Sequence, residues 1–401
     1  MSLPPPLPVA EAQARLLRQA KPLPAETLAT EQAVGRYLAA PLPAARTQPA
    51  ADLSAMDGYA IRVDDVTGPW RVVGESAAGH PFTGKLTQGE AIRISTGALM
   101  PSGQSVVLLQ ENAARNGDIL VLNGEGEPTA RHIRRAGFDF RRGDEVLAVG
   151  TRIGPAQLAL ALTAGHAEVS VHALPSLAVL DGGDELAADP AACAPHQIPA
   201  SNGAMLAAMA ARFASSIQRL GPVPDRLGAM LAALDKAADT DVIVTSGGAS
   251  VGDHDLVRPA LEQWGATIDF WRVAMRPGKP LLVARRGKQW VIGLPGNPVS
   301  SYLTAFLFLL PLLRALAGAH DPLPRRVTAR LGAALPGIAD RTEFVRARVD
   351  GDSLVPLSEQ DSSALVSLAC AHALIERPAN SRAVEAGELV EAFWLQNGGV
   401  A

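Results

Sequence analysis

Chemistry in this chain is concentrated where apolar runs break into glycine, hydroxyl and carboxylate residues. The stretch Asp241-Val-Ile-Val-Thr-Ser-Gly-Gly-Ala-Ser-Val-Gly-Asp-His-Asp255 runs a buried-strand pattern into Ser246, Gly247, Gly248, Ser250 and Gly252. Glycines there let backbone N–H groups approach an anionic ligand closely. The stretch has no Walker lysine and is not spaced as GxGxxG, so the ATP-loop and dinucleotide readings both fail. Asp253 and Asp255 could complement a metal or cap the next helix, and the local string leaves both open. A second junction, Trp290-Val-Ile-Gly-Leu-Pro-Gly-Asn-Pro298, joins an apolar strand to a helix. Pro295 and Gly296 make its turn, Asn297 suits the N-cap and Pro298 the first helical position. Such a start exposes unpaired N–H groups and the positive end of a dipole, a place for an oxyanion, although most turns of this kind bind nothing. Arg276-Pro-Gly-Lys-Pro280 offers two cations on a rigid turn, suited to an anion or simply to solvent.

Two further turns carry polar residues. Asp52-Leu-Ser-Ala-Met-Asp-Gly-Tyr-Ala60 places two acids and a hydroxyl around a glycine, and Ser95-Thr-Gly-Ala-Leu-Met-Pro101 is comparable. Asp-Gly is also among the strongest hairpin signals, so each reads first as a turn. Arg131, Arg134, Arg135, Arg141 and Arg142 cluster around Asp139, the usual composition of a solvated face. The eight histidines are scattered, and no Ser/His or Cys/His pairing points to a nucleophilic hydrolase. Cys193 and Cys370 stand far apart, which supports neither a disulfide framework nor a zinc site and fits a reducing compartment.

The elements that must position these junctions divide the chain. Residues 9–40 carry a helical pattern interrupted by Pro22 and Pro24, and residues 151–174 resume helical character up to Gly165, which predicts a helical arm. From Asp52 to about Val121, short alternating runs such as Arg71-Val72-Val73-Gly74 predict a small β-rich module inserted between two pieces of one domain. From Ser176 to Gly318 strands and helices alternate: Leu177–Leu180 and Asp241–Val244 read as buried strands, 280–284 and 290–294 as further ones, and 255–264 as a helix. Met205, Met209, Phe213 and Ile217 recur every four residues behind a candidate cap at Ser201. That order predicts a parallel sheet covered on both faces. After His320, Val327–Leu331, Phe344–Val349 and Leu389–Trp394 read as strands of a separate β domain. The expected division is 1–48 with 136–175 as a discontinuous helical domain, 49–135 as the β module, 176–322 as a doubly wound α/β domain and 323–401 as a C-terminal β domain.

Composition narrows the function. A hydrophobic content of 48% supports several cores, and 36 basic against 40 acidic residues, with no basic tract, gives no pointer to nucleic acid. The longest apolar stretch, Tyr302–Leu313, is shorter than the roughly 20 residues a membrane span needs and reads as a buried helix. The N-terminus has no basic start or apolar core of a secretory signal, so a cytoplasmic location is expected.

Taken together and in chain order, these strings resemble the MoeA and gephyrin E-domain family, the molybdopterin molybdenumtransferases. SAMDGYA stands at Ser54–Ala60, TGA with a following Pro-x-Gly at Thr96–Gly103, SGGxSVG at Ser246–Gly252, PGKP at Pro277–Pro280 and GLPGNPVS at Gly293–Ser300. The resemblance implies a homodimer in which a molybdopterin-binding α/β domain faces the β module of the other subunit across a cleft. It implies insertion of molybdate into adenylated molybdopterin and release of AMP with Mg2+, downstream of a molybdopterin adenylyltransferase. Carried over by motif, the cleft residues are Asp57, Thr96, Asp139, Asp184, Glu185, Asp225, Asp255 and Lys279, with Asp57, Glu185 and Asp255 as metal-ligand candidates. Arg276 stands where the family commonly has lysine. Substrate contacts are implied for Ser246, Gly247, Gly248, Ser250, Gly252, Pro295, Gly296, Asn297, Pro298 and Ser300, and for Arg346 and Ser362 from the C-terminal domain. The substrates and the acids all carry negative charge, so a divalent cation is expected between them.

The chain departs from the family in places. Asp181-Gly182-Gly183-Asp184-Glu185 stands where Ser-Thr-Gly-Asp-Glu is usual, and Pro199-Ala200-Ser201-Asn202 where Tyr-Asp-Ser/Thr-Asn is usual. Leu256 replaces a tyrosine, Ser105 an acid, and Phe138 an acid before Asp139. An active transferase is the favoured reading. A non-catalytic binding or scaffold relative is the alternative, and a phosphatase or nucleotide hydrolase a third class for which the chain offers no nucleophile.

Overall fold

A computed structural model describes residues 5–247 and 256–395. Its centre is a six-stranded sheet in the order Ser216–Val223, Ser176–Gly182, Val242–Ser246, Gln289–Leu294, Leu282–Arg286, Thr267–Trp271. The first four strands are parallel and Leu282–Arg286 runs antiparallel to both of its neighbours, so the sheet is mixed rather than parallel throughout. The reversal lies at Gly287, whose φ of 61° starts a two-residue turn between Arg286 and Gln289 and forces those strands into a hairpin.

Because both faces of the sheet are covered, its strands read as unbroken apolar runs. Leu177, Val179, Val242 and Val244 pack on Leu206 of the helix Asn202–Ala210 and on Leu303, Phe308 and Leu312 of the long helix Pro298–Leu316. Ala178, Leu180 and Ile243 face Met230 and Leu234 of the helix Leu227–Lys236 and Leu261 of Val257–Gln263. The helix Asn202–Ala210 ends sooner than the four-residue periodicity predicts, and Ile217 lies in the next strand. From the 176–182 strand the chain passes to one neighbour, and from the 242–246 strand to the opposite side. A crevice therefore opens between their carboxyl ends, where ligands bind in sheets of this kind.

The long helix is the one described helix apolar and long enough to cross a membrane, and 83% of its 18-residue window is buried within the protein. It changes to a π-turn at Ala305–Leu309 just before Pro311. Pro311 has no N–H to offer the carbonyl of Leu307, and Gln13 Nε2 donates to that oxygen at 2.9 Å. Gln13 belongs to the first helix, Val9–Gln19, whose Val9, Ala12 and Leu16 enter the α/β core. The expected helical arm is corrected accordingly: the first helix is part of the α/β packing, and Pro22 and Pro24 end it. The strand Ala25–Ala29 follows and pairs antiparallel with Glu168–His172. Leu42–Pro43 pairs with Glu145–Leu147, and only Pro155–Thr163 is α-helical between 151 and 174.

The β module hangs between these paired segments. Its sheet runs Ser105–Leu109, Gly58–Arg62, Glu90–Ile94, Trp70–Ser76, Ile119–Leu122, Ala113–Asn116. The C-terminal strands close into a ring: Thr342–Asp350 pairs with Ser353–Pro356, that with Val327–Leu331, then Leu389–Trp394, then Ala373–Arg377, which returns to Thr342–Asp350. Closure removes the sheet edges a small β domain would otherwise expose. Met275–Arg276 adds to Thr342–Glu343 in parallel and ties the barrel to the α/β domain.

Candidate active site

The floor of the crevice is made of backbone. An ideal Cβ at Gly247, whose φ is 90°, would lie 2.5 Å from Gly182 O, and one at Gly296 would touch Gly247 Cα at 3.5 Å. At Gly247 the positive φ and the 2.5 Å approach both require glycine, while the contact at Gly296 is an ordinary one. Asn202 ties two of the turns together: its Nδ2 donates to Ser246 Oγ at 2.9 Å and to Gly296 O at 2.6 Å. Gly247 N–H donates to Leu294 O at 3.2 Å. Ser246, Pro295 and Ser300 are buried, while Gly296 and Asn297 are exposed at the start of the long helix. Thr304 Oγ1 donates back to Ser300 O at 2.7 Å within the first turns. Gly248, Ser250, Gly252 and Asp255 lie outside the described residues.

Three acids gather at the rim. Asp225 N–H donates to Asp184 Oδ1 at 3.1 Å and Asp184 N–H to Asp225 Oδ2 at 3.3 Å, so each backbone steadies the other's carboxylate and leaves a second oxygen on each. Glu185 is exposed beside them. Asp57 lies on the β module, where its Oδ1 accepts the Thr96 N–H at 2.6 Å. That bond, with the Thr96 hydroxyl, holds the exposed Asp57 carboxyl below the usual aspartate range. The two turns are locked by Gly97 N–H to Ser54 O at 2.8 Å and Ser54 N–H to Ala98 O at 2.9 Å. Asp57-Gly58 is no hairpin: Gly58 enters a strand paired to Glu90–Ile94 and Ser105–Leu109, and a Cβ there would lie 2.0 Å from Leu108 O. Asp139 is exposed, with its N–H on Gln48 O at 3.0 Å. No hydrogen bond or ion pair among the described residues joins Asp57, Thr96 or Asp139 to Asp184, Glu185 or Asp225. Among the described residues no group of three or more His, Cys, Asp or Glu is arranged as a metal site.

The barrel reaches the crevice through one loop. Asn297 Nδ2 donates to Ser362 Oγ at 2.8 Å and Val299 N–H to Ser362 O at 3.1 Å, so Asn297 occupies the N-cap position while its side chain caps nothing. Arg346, expected as a substrate contact, lies behind that loop. Its side chain is buried at 1% residue exposure, with Nε on Ser367 Oγ and NH2 on the carbonyls of Glu359 and Asp361, all at 3.0 Å. It positions the loop that carries Ser362. Arg276 is exposed but shares its charge with Glu343 at 3.2 Å. Lys279 is exposed on a turn that rests on the long helix, where a Cβ at Gly278 would meet Thr304 Cγ2 at 2.7 Å.

Two contributors escaped sequence reasoning. Asn202 stood in a segment read for what it had lost, and its role depends on partners 44 and 94 residues away. Asp181, at the end of the 176–182 strand, is buried at 5% exposure with Oδ2 accepting the Gly203 N–H at 2.8 Å. Its carboxyl is pushed up by burial, against the pull of that N–H and of Arg219. A buried acid at a strand end was the one available signal.

Comparisons with known proteins agree along the whole chain. Residues 7–165 match the MoeA N-terminal region (domain I and II), 178–315 a probable molybdopterin binding domain and 328–395 the MoeA C-terminal region (domain IV). A molybdopterin molybdenumtransferase of Haemophilus influenzae is 34% identical over 316 residues, 77% of each chain. One from Staphylococcus aureus is 31% identical over 406 residues, covering 98% of this chain and 96% of that one. The crystal structure of a molybdopterin biosynthesis moeA protein from Pyrococcus horikoshii superposes with a TM-score of 0.83 at 27% identity, over 98% of this chain and all of that one.

Proposed function

The chain belongs to the molybdopterin molybdenumtransferase (MoeA) family, and from that premise we propose that it inserts molybdate into adenylated molybdopterin with magnesium-assisted release of AMP. It is a transferase of molybdenum cofactor biosynthesis. The observation that carries the substrate placement is the backbone floor at Gly182, Gly247 and Gly296, set at the topological switch of the sheet and pinned by Asn202.

The residues act as follows. Gly296 and Asn297, at the start of a 19-residue helix, present N–H groups and a dipole end to an anionic group of the pterin nucleotide. Ser362 reaches the same turn and closes it on the barrel side. Lys279 adds a cation at the flank. Asp184 and Asp225 are a carboxylate pair already steadied by two N–H donors, and Mg2+ commonly takes one or two carboxylates plus substrate phosphate oxygens, so this pair fits the ion. Bound there with Glu185 nearby, the ion would neutralise charge on the phosphoanhydride. The second acid group, Asp57 with Thr96, is on a separate module, which supports a cleft completed by Asp57 of a second copy in a homodimer. Delivery of the adenylated substrate by an adenylyltransferase and a cytoplasmic setting, with both cysteines unpaired, complete the proposal.

Subunit complementation tests it. Asp57→Ala and Asp225→Ala homodimers, each inactive, are mixed under exchange conditions; one intact cleft per mixed dimer should restore molybdate-dependent AMP release. No recovery from demonstrably mixed dimers would refute the shared cleft. Equal AMP release from unrelated adenylates without molybdate would refute the transferase chemistry.

A further inference from the structure

The crevice contains two helix starts, and they are treated differently by the chain. The long helix spends its Val299 N–H on Ser362 O and opens on exposed Gly296 and Asn297 ahead of Pro298, whereas at the start of the 202–210 helix the Gly203 N–H is taken by a carboxylate of the chain itself. Asp181 reaches across from the end of its strand, and its Oδ2 takes the N–H of Gly203, the second residue of that helix, at 2.8 Å. Its other oxygen, Oδ1, is buried without a hydrogen-bond partner among the described residues, and the whole residue is 95% buried by its 5% exposure. Gly203 is matched to this arrangement, because a Cβ there would lie 2.2 Å from Asp181 Oδ2. Gly221, on the neighbouring strand with φ of 130°, is matched too: its Cβ would meet Asp181 O at 2.5 Å and Asp181 Cβ at 3.3 Å. Gly203 thus makes room for the carboxylate and Gly221 for the backbone that carries it, at a position where a helix end would otherwise receive an anion from solution.

We propose that Asp181 is a specificity-determining residue which excludes anionic ligand groups from the start of the 202–210 helix by filling that position with the chain's own carboxylate. An oxyanion placed there would have to displace a buried side chain and share the helix end with a like charge. Where the transferase reading holds, the consequence is that an anionic group of the pterin nucleotide is received at Gly296 and Asn297 alone. The exclusion itself involves no molybdenum chemistry and stands or falls separately.

Sulfate, which carries the same charge throughout the neutral range, is the probe, and amide hydrogen exchange of residues 201–206 at matched ionic strength is the readout. In the wild type, sulfate in place of chloride should leave this segment unchanged. In Asp181→Ser and Asp181→Ala, where the Gly203 N–H is released and space opens, sulfate at ten times its dissociation constant should slow exchange about tenfold. Asp181→Asn keeps shape and acceptor, and should exclude sulfate as the wild type does; it also serves if the smaller variants do not fold. Equal protection of the wild type, protection of Asp181→Asn, or no protection in folded Ser and Ala variants would each overturn the proposal. AMP release is not measured, so a failed transferase assay leaves the outcome interpretable.

Discussion

Replacing Gly203 by alanine sets helix propensity against a specific contact. Alanine in place of glycine inside a helix is worth about 1 kcal/mol in favour of the variant. At Gly203, however, the new Cβ would stand 2.2 Å from Asp181 Oδ2 and 2.9 Å from its Cγ, inside contact distance. The carboxylate must turn away, break its 2.8 Å bond to the Gly203 N–H and remain in a site only 5% exposed. An unsatisfied buried polar group costs about 1–3 kcal/mol, so after the propensity gain Gly203→Ala should destabilise the helix start by up to about 2 kcal/mol net. In an Asp181→Ala background the obstacle is absent and the same change should stabilise by about 1 kcal/mol, a coupling of about 1–3 kcal/mol. Because a multidomain chain need not unfold in one step, the assay is amide exchange across residues 202–210, where about 1.4 kcal/mol is tenfold in rate. A Gly203→Ala protein with slower exchange than wild type, or the same effect in both backgrounds, would refute the contact.

The other predictions concern the crevice and its supports. Asn202→Ala removes the two hydrogen bonds that tie the Ser246 and Gly296 turns to the 202–210 helix and should raise the KM for adenylated molybdopterin about tenfold, with a smaller loss in kcat, measured by steady-state AMP release. Asp57→Ala should abolish molybdate-dependent turnover while the protein stays folded, since the side chain is exposed and the change removes only its bonds to Thr96; full activity in that variant would remove Asp57 from the mechanism. Arg346→Leu should lower stability by about 3 kcal/mol, seen in the barrel's hydrogen exchange, because it leaves the carbonyls of Glu359 and Asp361 and the Ser367 hydroxyl without their cation donor. Asp181 gives a pH signature: its folded pKa is raised by burial, so ionisation costs stability as pH climbs from the unfolded value of about 3.9 through the folded one. Asp181→Asn should therefore melt above wild type at neutral pH, with the gap closing as pH falls through that window; a pH-independent gap would contradict it.

Legibility followed the range of the interactions. Glycine and proline punctuation at Ser246–Gly247 and Pro295–Pro298 marked both strand ends correctly, because those turns are dictated by local backbone geometry. The apolar runs at Leu177–Leu180 and Val242–Val244 announced strands covered on both faces. The docking of the first helix was not legible: its helical pattern shows that it must pack, but not that Gln13 answers the carbonyl left by Pro311 across 294 residues. Closure of the C-terminal strands into a ring and the reach of Ser362 to Asn297 are likewise set by pairings between distant segments. Burial of Arg346 was not legible either, because a motif match carries residue type without the contacts to Ser367, Glu359 and Asp361 that bury it.

The most direct measurement of the central claim is a single-turnover experiment with the purified chain, adenylated molybdopterin, Mg2+ and dilute molybdate, counting AMP released and molybdenum retained on the pterin. The account predicts one AMP for each molybdenum inserted, with neither formed when molybdate or the divalent cation is withheld. Tight binding of the pterin nucleotide with no AMP, or AMP formed at the same rate without molybdate, would contradict it.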